Sequence, residues 1–179
     1  MPSRVCSIGH STRSLDELVA LLRENGVATL ADVRRYPGSR RYPQFSRESL
    51  QAALPAAGIR YEHLGVALGG RRRPAADSPN RGWRSEQFRG YADHMATAEF
   101  AAGIDALLAL PPPAAVLCAE AVPWRCHRNL LADELTRRGV EVVHIMGPGS
   151  TGRHEMNPMA REEGDHLVYP PQEPQTTLF

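Results

Sequence analysis

Short apolar runs alternate with amphipathic helical patterns along the first 146 residues, and this alternation restricts the fold more than any other feature of the chain. "RVCSIG" reads as a strand, after which Ser14 caps "LDELVALLRENG", whose apolar residues recur at helical spacing until Gly26 stops them. "VATLADV" is a second apolar run, "SRESLQAALPAAG" a helix opened by Ser46, and "IRYEHL" a third strand. Beyond an Arg- and Gly-rich loop over 65–82, "SEQFRGYADHMATAEFAAGIDALLAL" predicts one or two helices, "AAVLCAE" a strand, residues 124–138 a helix, and "VEVVHI" a last strand. Strands that alternate with helices are covered on both faces. The expectation is therefore a Rossmann-like, three-layer α/β domain with a mostly parallel sheet of about five strands.

From Met146 onward the pattern fails, and the chain becomes rich in Gly, Pro and polar residues with little to bury beyond "HLVY". The reading is one domain over 1–146 and an irregular Pro/Gly-rich tail over 147–179, lying over the domain or hanging free. A chain of 179 residues suits this arrangement.

Three cysteines, Cys6, Cys118 and Cys126, make an odd count without disulfide-framework spacing, and no apolar run has membrane-spanning length. A reduced, cytoplasmic protein with no membrane partner is expected. The formal net charge is only +1, so bulk charge selects no partner. Its distribution is uneven. Between Val33 and Gly90 twelve arginines face four acidic residues, a local excess of eight. Arg40, Arg41, Arg71, Arg72 and Arg73 are the candidates to grip phosphate, with Tyr36, Tyr42, Phe45 and Trp83 able to stack on bases. The plainer alternative is a solvated arginine face with the aromatic rings turned inward, and for Phe45 that alternative is preferred.

In open α/β sheets ligands bind beyond the carboxyl ends of the strands. The predicted strands end in Gly9-His10-Ser11, Asp32-Val33-Arg34-Arg35, Glu62-His63, Glu120 and His144. From these, Glu120, Asp32, His10, Cys126 and His127 are candidate catalytic groups, and Ser11, Arg34, Arg125 and Arg128 candidate anion ligands. Each has a plain alternative: Asp32 pairing with Arg34, Ser11 or Asp16 capping the first helix, His63 and His144 as satisfied core histidines. Pro123 suits the first helical position after the fourth strand, which would set the positive helix end near Cys126 and lower its thiol pKa. A metal set of Cys118, Cys126 and His127 with Glu120 or His10 has C-x7-C-H spacing, unlike common structural zinc patterns. No metal or other cofactor is expected, with a divalent ion left open.

The motifs "SIGHS", "DVRRYPGSRRYPQFS", "YEHLGVALGG", "LCAEAVPWRCHR" and "VVHI", in this order from residue 6 to residue 145, resemble those of the family called domain of unknown function 488. The resemblance implies a compact α/β domain without an assigned reaction. It places His10, Ser11, Asp32, Arg34, Pro37, Ser39, Phe45, Gly69, Gly70, Glu120, Cys126, His127 and Arg128 at the family's signature positions. Such proteins show a His-Pro element near the tail where this chain reads "HEMNP", which leaves His154 without an expected role. The C-terminal "PQTTLF" resembles the peptide by which bacterial repair proteins bind the sliding clamp, with Gln175, Leu178 and Phe179 as its matching residues; burial of Phe179 on its own domain is the alternative.

Three functions follow as expectations. The leading one is a DNA-processing enzyme, tethered to the clamp, that uses Glu120 and Asp32 on a nucleotide in the crevice, glycosidic-bond cleavage being the concrete form. The others are a non-enzymatic nucleic-acid adaptor and a cysteine-dependent enzyme acting on a small phosphorylated substrate.

Overall fold

The computed structural model describes residues 3–172. Its elements run β1 (Arg4–Gly9), α1 (Leu15–Glu24), β2 (Thr29–Asp32), α2 (Arg47–Ala56), β3 (Arg60–His63), α3 (Gly65–Leu68), α4 (Glu86–His94), α5 (Ala98–Leu108), β4 (Ala114–Cys118), α6 (Arg128–Arg137), β5 (Glu141–Gly147), β6 (Ser150–Arg153), β7 (Arg161–Glu163) and β8 (His166–Val168). Single 3-10 turns at Pro43–Phe45 and Pro123–Arg125 precede α2 and α6. Gln175, Leu178 and Phe179 lie outside the described residues.

A six-stranded sheet in the order β3-β2-β4-β1-β5-β6 forms the centre, parallel except for β6 against β5. Successive side chains of a strand point to opposite faces, and the core divides accordingly. Cys6, Ile8, Leu30, Ala115 and Leu117 pack against α1 and α2. Val5, Ala31, Val116 and Val142 pack against α4, α5 and α6. This is the expected three-layer α/β architecture.

The helix starts follow from capping. Ser14 and Glu17 close a capping box on α1, while Ser46, Ser85 and Thr97 each accept a backbone N–H at the start of α2, α4 and α5. The last expected helix differs from its prediction. Pro123 opens only a 3-10 turn, the chain extends again at Cys126, and α6 begins at Arg128.

From Gly147 to residue 172 the chain stays on the domain. It adds β6 to the sheet and then the β7-β8 hairpin, whose Leu167 and Val168 are buried together with Tyr169. A buried polar chain holds this segment. Asp133 accepts from His154 Nε2 at 2.7 Å, from the Tyr169 hydroxyl at 2.7 Å and from the Asn157 N–H at 3.0 Å. With Nε2 donating, His154 Nδ1 accepts from His144 Nε2 at 2.9 Å, which leaves His144 Nδ1 a bare, buried acceptor. "HEMNP" therefore has a structural role, through His154.

Tyr169→Phe removes one donor from a buried carboxylate and is expected to cost about 1.5–3 kcal/mol in urea denaturation. Burial, with His154 and Arg128 adding to it, holds His144 down at about 4. An unfolded imidazole binds its proton near its ordinary value of 6.5, so this contribution to stability is complete above that pH and is lost as pH falls toward about 4. Unfolding free energies measured across that range are expected to decline toward acid, and less steeply in His144→Gln.

Candidate active site

The direction in which the chain winds across the sheet reverses between the two central strands, β4 and β1. From β1 the chain moves to β2 on one side, and from β4 it crosses to β5 on the other, which is where such sheets open a crevice. Gly9 pairs with Cys118 at this point, and the N–H groups of His10 and Ser11 donate to the carbonyls of Cys118 and Ala119. The approach leaves no room for a side chain, since a Cβ on Gly9 would lie 1.6 Å from the Glu120 carbonyl oxygen.

Three donor groups converge at the end of β4. The Sγ atoms of Cys118 and Cys126 and a ring nitrogen of His127 all lie within 4.8 Å of one another, with Cys126 Sγ 3.6 Å from His127 Nδ1. The extended backbone at Cys126 produces this arrangement, because it folds the chain back over β4 before α6 starts. Cys126 also caps α6: its Sγ accepts the Arg128 N–H at 3.4 Å and its carbonyl the Asn129 N–H. His127 Nε2 lies 3.2 Å from the Val33 carbonyl, and its ring packs on Tyr91 with centroids 4.9 Å apart. The Cys118 thiol is held well below its ordinary range by the hydrogen bond from Cys126, with His127 and Arg128 adding to the effect, while burial pushes Cys126 up.

Arg128 lies beneath the thiols at 1% exposure. It donates to Ser7 Oγ at 2.9 Å and to the Glu120 carbonyl at 2.8 Å, and its Nε has no partner. Among the described residues no carboxylate pairs with it. It is a buried cation beside two sulfur atoms and is closed to an external phosphate.

The two candidate carboxylates are not brought together as an available pair. Asp32 is fully buried, and its oxygens accept from Arg34 N, Nε and Nη2 and from the Tyr61 hydroxyl, at 3.1, 2.8, 2.6 and 2.6 Å. That uses its accepting capacity. Arg34 is committed in turn, its Nη2 also reaching the Phe45 carbonyl at 2.7 Å. Glu120 lies past the end of β4 with an exposed side chain, and its backbone carbonyl rather than its carboxylate enters the network. His10 is buried against Phe45, ring centroids 4.5 Å apart, with Nδ1 at 3.0 Å from the Ser11 carbonyl; burial lowers its pKa. Ser11 takes a left-handed backbone with φ 49 at the turn into α1.

The arginine loop presents a different picture. Arg35, Arg71, Arg72 and Arg73, with Gly90, Asp93, His94 and Thr97, line a cleft of about 530 Å³. Asp93 forms no ion pair with these arginines; its oxygens accept from Ala75 N, Ser78 Oγ and Asn80 Nδ2. Burial, then the charge of Arg35, lowers the Arg72 pKa. Tyr36 is 60% exposed, with the guanidinium carbons of Arg35 and Arg71 at 5.5 and 5.7 Å from its ring centre. Arg40, Arg41 and Arg125 are exposed, Tyr42 is half-buried, and Phe45 is buried as preferred. Trp83 is turned inward against Phe88 and Tyr169. The start of this loop packs against the cysteine centre: an added Cβ on Gly70, the residue before Arg71, would meet His127 Nδ1 at 3.0 Å.

Sequence reasoning left Cys118 out of its catalytic set and missed Tyr61, Tyr91 and Arg35. A cysteine as the last residue of a central strand was the available signal for Cys118. No local pattern announces the two tyrosines.

These features define an α/β domain with a cysteine-histidine centre at the carboxyl edge of its sheet and an arginine-lined cleft alongside. A family model described as "Domain of unknown function DUF488" matches residues 14–135, and the chain belongs to that family. No curated protein and no solved structure gives a significant match.

Asp32→Asn leaves the buried Arg34 guanidinium without its counter-charge and is expected to cost about 3–5 kcal/mol. Chemical denaturation checks this, and a loss below about 1 kcal/mol would contradict a buried ion pair between Asp32 and Arg34.

Proposed function

We propose that the protein is a nucleic-acid-processing enzyme in which the arginine loop grips phosphate and the Cys118, Cys126 and His127 centre carries the chemistry. The observation that carries this reading is a set of six arginines, Arg35, Arg40, Arg41, Arg71, Arg72 and Arg73, that have no carboxylate partner among the described residues, on loops that back onto His127. Burying or crowding like charges without compensation is unfavourable, and an anion relieves it. A phosphodiester chain suits the extended run of guanidinium groups better than a single small anion does. The exposed ring of Tyr36 between Arg35 and Arg71 offers a base a stacking surface.

The chemistry belongs to the sulfur and imidazole groups because Asp32 is saturated and Glu120 stands alone in solvent. Pairing of β4 with β1 positions Cys118, Ser7 and the Glu120 carbonyl hold Arg128, and the Val33 carbonyl orients His127. A tether to the sliding clamp through Gln175, Leu178 and Phe179 is part of the same proposal and rests on the sequence alone.

The test compares wild type, Glu120→Gln, Cys118→Ser and an Arg71→Ala/Arg73→Ala double variant on fluorescent single-stranded, duplex and damaged DNA at two salt concentrations. Wild type is expected to bind with strong salt dependence, and each lost phosphate contact lowers the logarithmic salt slope by about 0.7–0.9. Product formation is expected to persist in Glu120→Gln and to vanish in Cys118→Ser. The reverse pattern would return the chemistry to the carboxylate, binding without product in every protein would indicate an adaptor, and absence of binding at low salt would overturn the nucleic-acid reading. Full-length protein is further expected to bind purified sliding clamp, and a Leu178→Ala/Phe179→Ala variant to lose that binding.

A further inference from the structure

The convergence of Cys118, Cys126 and His127 has a second chemical meaning. We infer that these three residues form a zinc site that keeps its fourth coordination position for water or substrate; this inference rests on the reading of the same cluster as the reactive centre.

The dimensions agree with zinc. Tetrahedral zinc holds sulfur at about 2.3 Å and imidazole nitrogen at about 2.0–2.1 Å, which sets the distance between those two ligand atoms near ~3.6 Å. Cys126 Sγ and His127 Nδ1 are 3.6 Å apart, and Cys118 Sγ completes a triangle with no separation above 4.8 Å. An ion can enter without moving the measured edge.

The orientation of the imidazole agrees as well. A metal-binding histidine donates its other N–H to a carbonyl or carboxylate, which fixes the tautomer and leaves a lone pair for the metal. His127 Nε2 faces the Val33 carbonyl at 3.2 Å, so Nδ1 carries its lone pair toward the two sulfurs. The Arg128 N–H to Cys126 Sγ contact supplies the N–H···S bond that a ligating thiolate takes. The ring is held from behind by Tyr91.

Ligand type selects the metal. Two thiolates and an imidazole favour zinc over magnesium or calcium, which take oxygen donors. Among the described residues no further cysteine, histidine or carboxylate joins the group. Three protein ligands with one open position is the arrangement of catalytic rather than structural zinc. The charges point the same way. Zinc with two thiolates is neutral, and the buried cation of Arg128 beside it then favours an anionic fourth ligand such as hydroxide.

The sequence named these three residues as a metal set, and their spacing argued against it. Cys126 and His127 are sequence neighbours, and seven residues separate Cys118 from Cys126, unlike the C-x2–4-C pairs of zinc fingers. The turn at Pro123–Arg125 reverses the chain within that interval and brings the second cysteine back over the first.

The experiment measures metal in full-length protein purified without a polyhistidine tag or chelator. Plasma mass spectrometry is expected to give about one zinc per chain, with retention reduced at least about 10-fold in Cys118→Ser, Cys126→Ser and His127→Ala and unchanged in Cys6→Ser. Cobalt(II) added to chelator-stripped wild type is expected to produce thiolate-to-cobalt charge-transfer bands and the intense visible bands of a tetrahedral ion. This second readout needs no variant to fold. Wild type that holds no zinc after dialysis against zinc, together with cobalt that gives no charge-transfer band, would overturn the site. Those results with DNA turnover still lost in Cys118→Ser would remove zinc and leave the reading of the reactive centre intact. Stoichiometric zinc in a protein without DNA affinity would leave the metal site and remove the nucleic-acid reading.

Discussion

Arg128 sits at 1% exposure with no carboxylate paired to it among the described residues, and the rest of the candidate site is arranged around that charge. Its two bonds tie the first turn of α6 to Ser7 on β1 and to the Glu120 carbonyl past β4. Those are the two strands between which the sheet opens. Removing a cation from water is costly, and a chain keeps one there only when neighbouring groups repay the cost. Here the neighbours are two sulfur atoms, a hydroxyl and a carbonyl. The same bonds fix the turn that carries Cys126 and His127 back over Cys118, so the charge and the geometry of the centre cannot be separated.

Elsewhere the arginines divide into two populations that their type alone does not distinguish. Arg34 forms a two-pronged pair with Asp32 and holds the Phe45 carbonyl, fastening the loop after β2 to the sheet edge. Arg137 and Arg138 share Glu134. Arg35, Arg71, Arg72 and Arg73 have no such partner among the described residues, and at Arg72 the repelling charge of Arg35 is partly offset by that of Glu99. Arg35, one residue beyond the structural Arg34, lines the cleft instead.

The segment after Gly147 is held by both apolar and polar contacts. Leu167, Val168 and Tyr169 enter the core, Met156, Met159 and Ala160 pack against it in part, and the Asp133, His154 and His144 chain, the Asn80 and Arg137 bonds and the antiparallel pairing of β6 add to the attachment. "HLVY" was legible as the one apolar cluster in this stretch. The role of His154 was not, because its partners lie on α6 and β5, 21 and 10 residues away.

Apolar periodicity determined much by itself: which segments are strands and helices, the three-layer architecture, and the polar character of the strand ends that face the crevice. These follow from local patterns, since the period of buried residues is a property of a short window. Capping serines and the motif order were readable for the same reason. Only the tertiary structure decided which polar residues remain available. Asp32 and Arg34 are consumed by each other, Glu120 turns to solvent, and Cys118 meets Cys126 and His127, because those outcomes depend on strand register and on the reversal at Pro123–Arg125. Contact across a parallel sheet is a matter of which strands become neighbours, and no window of sequence contains that information.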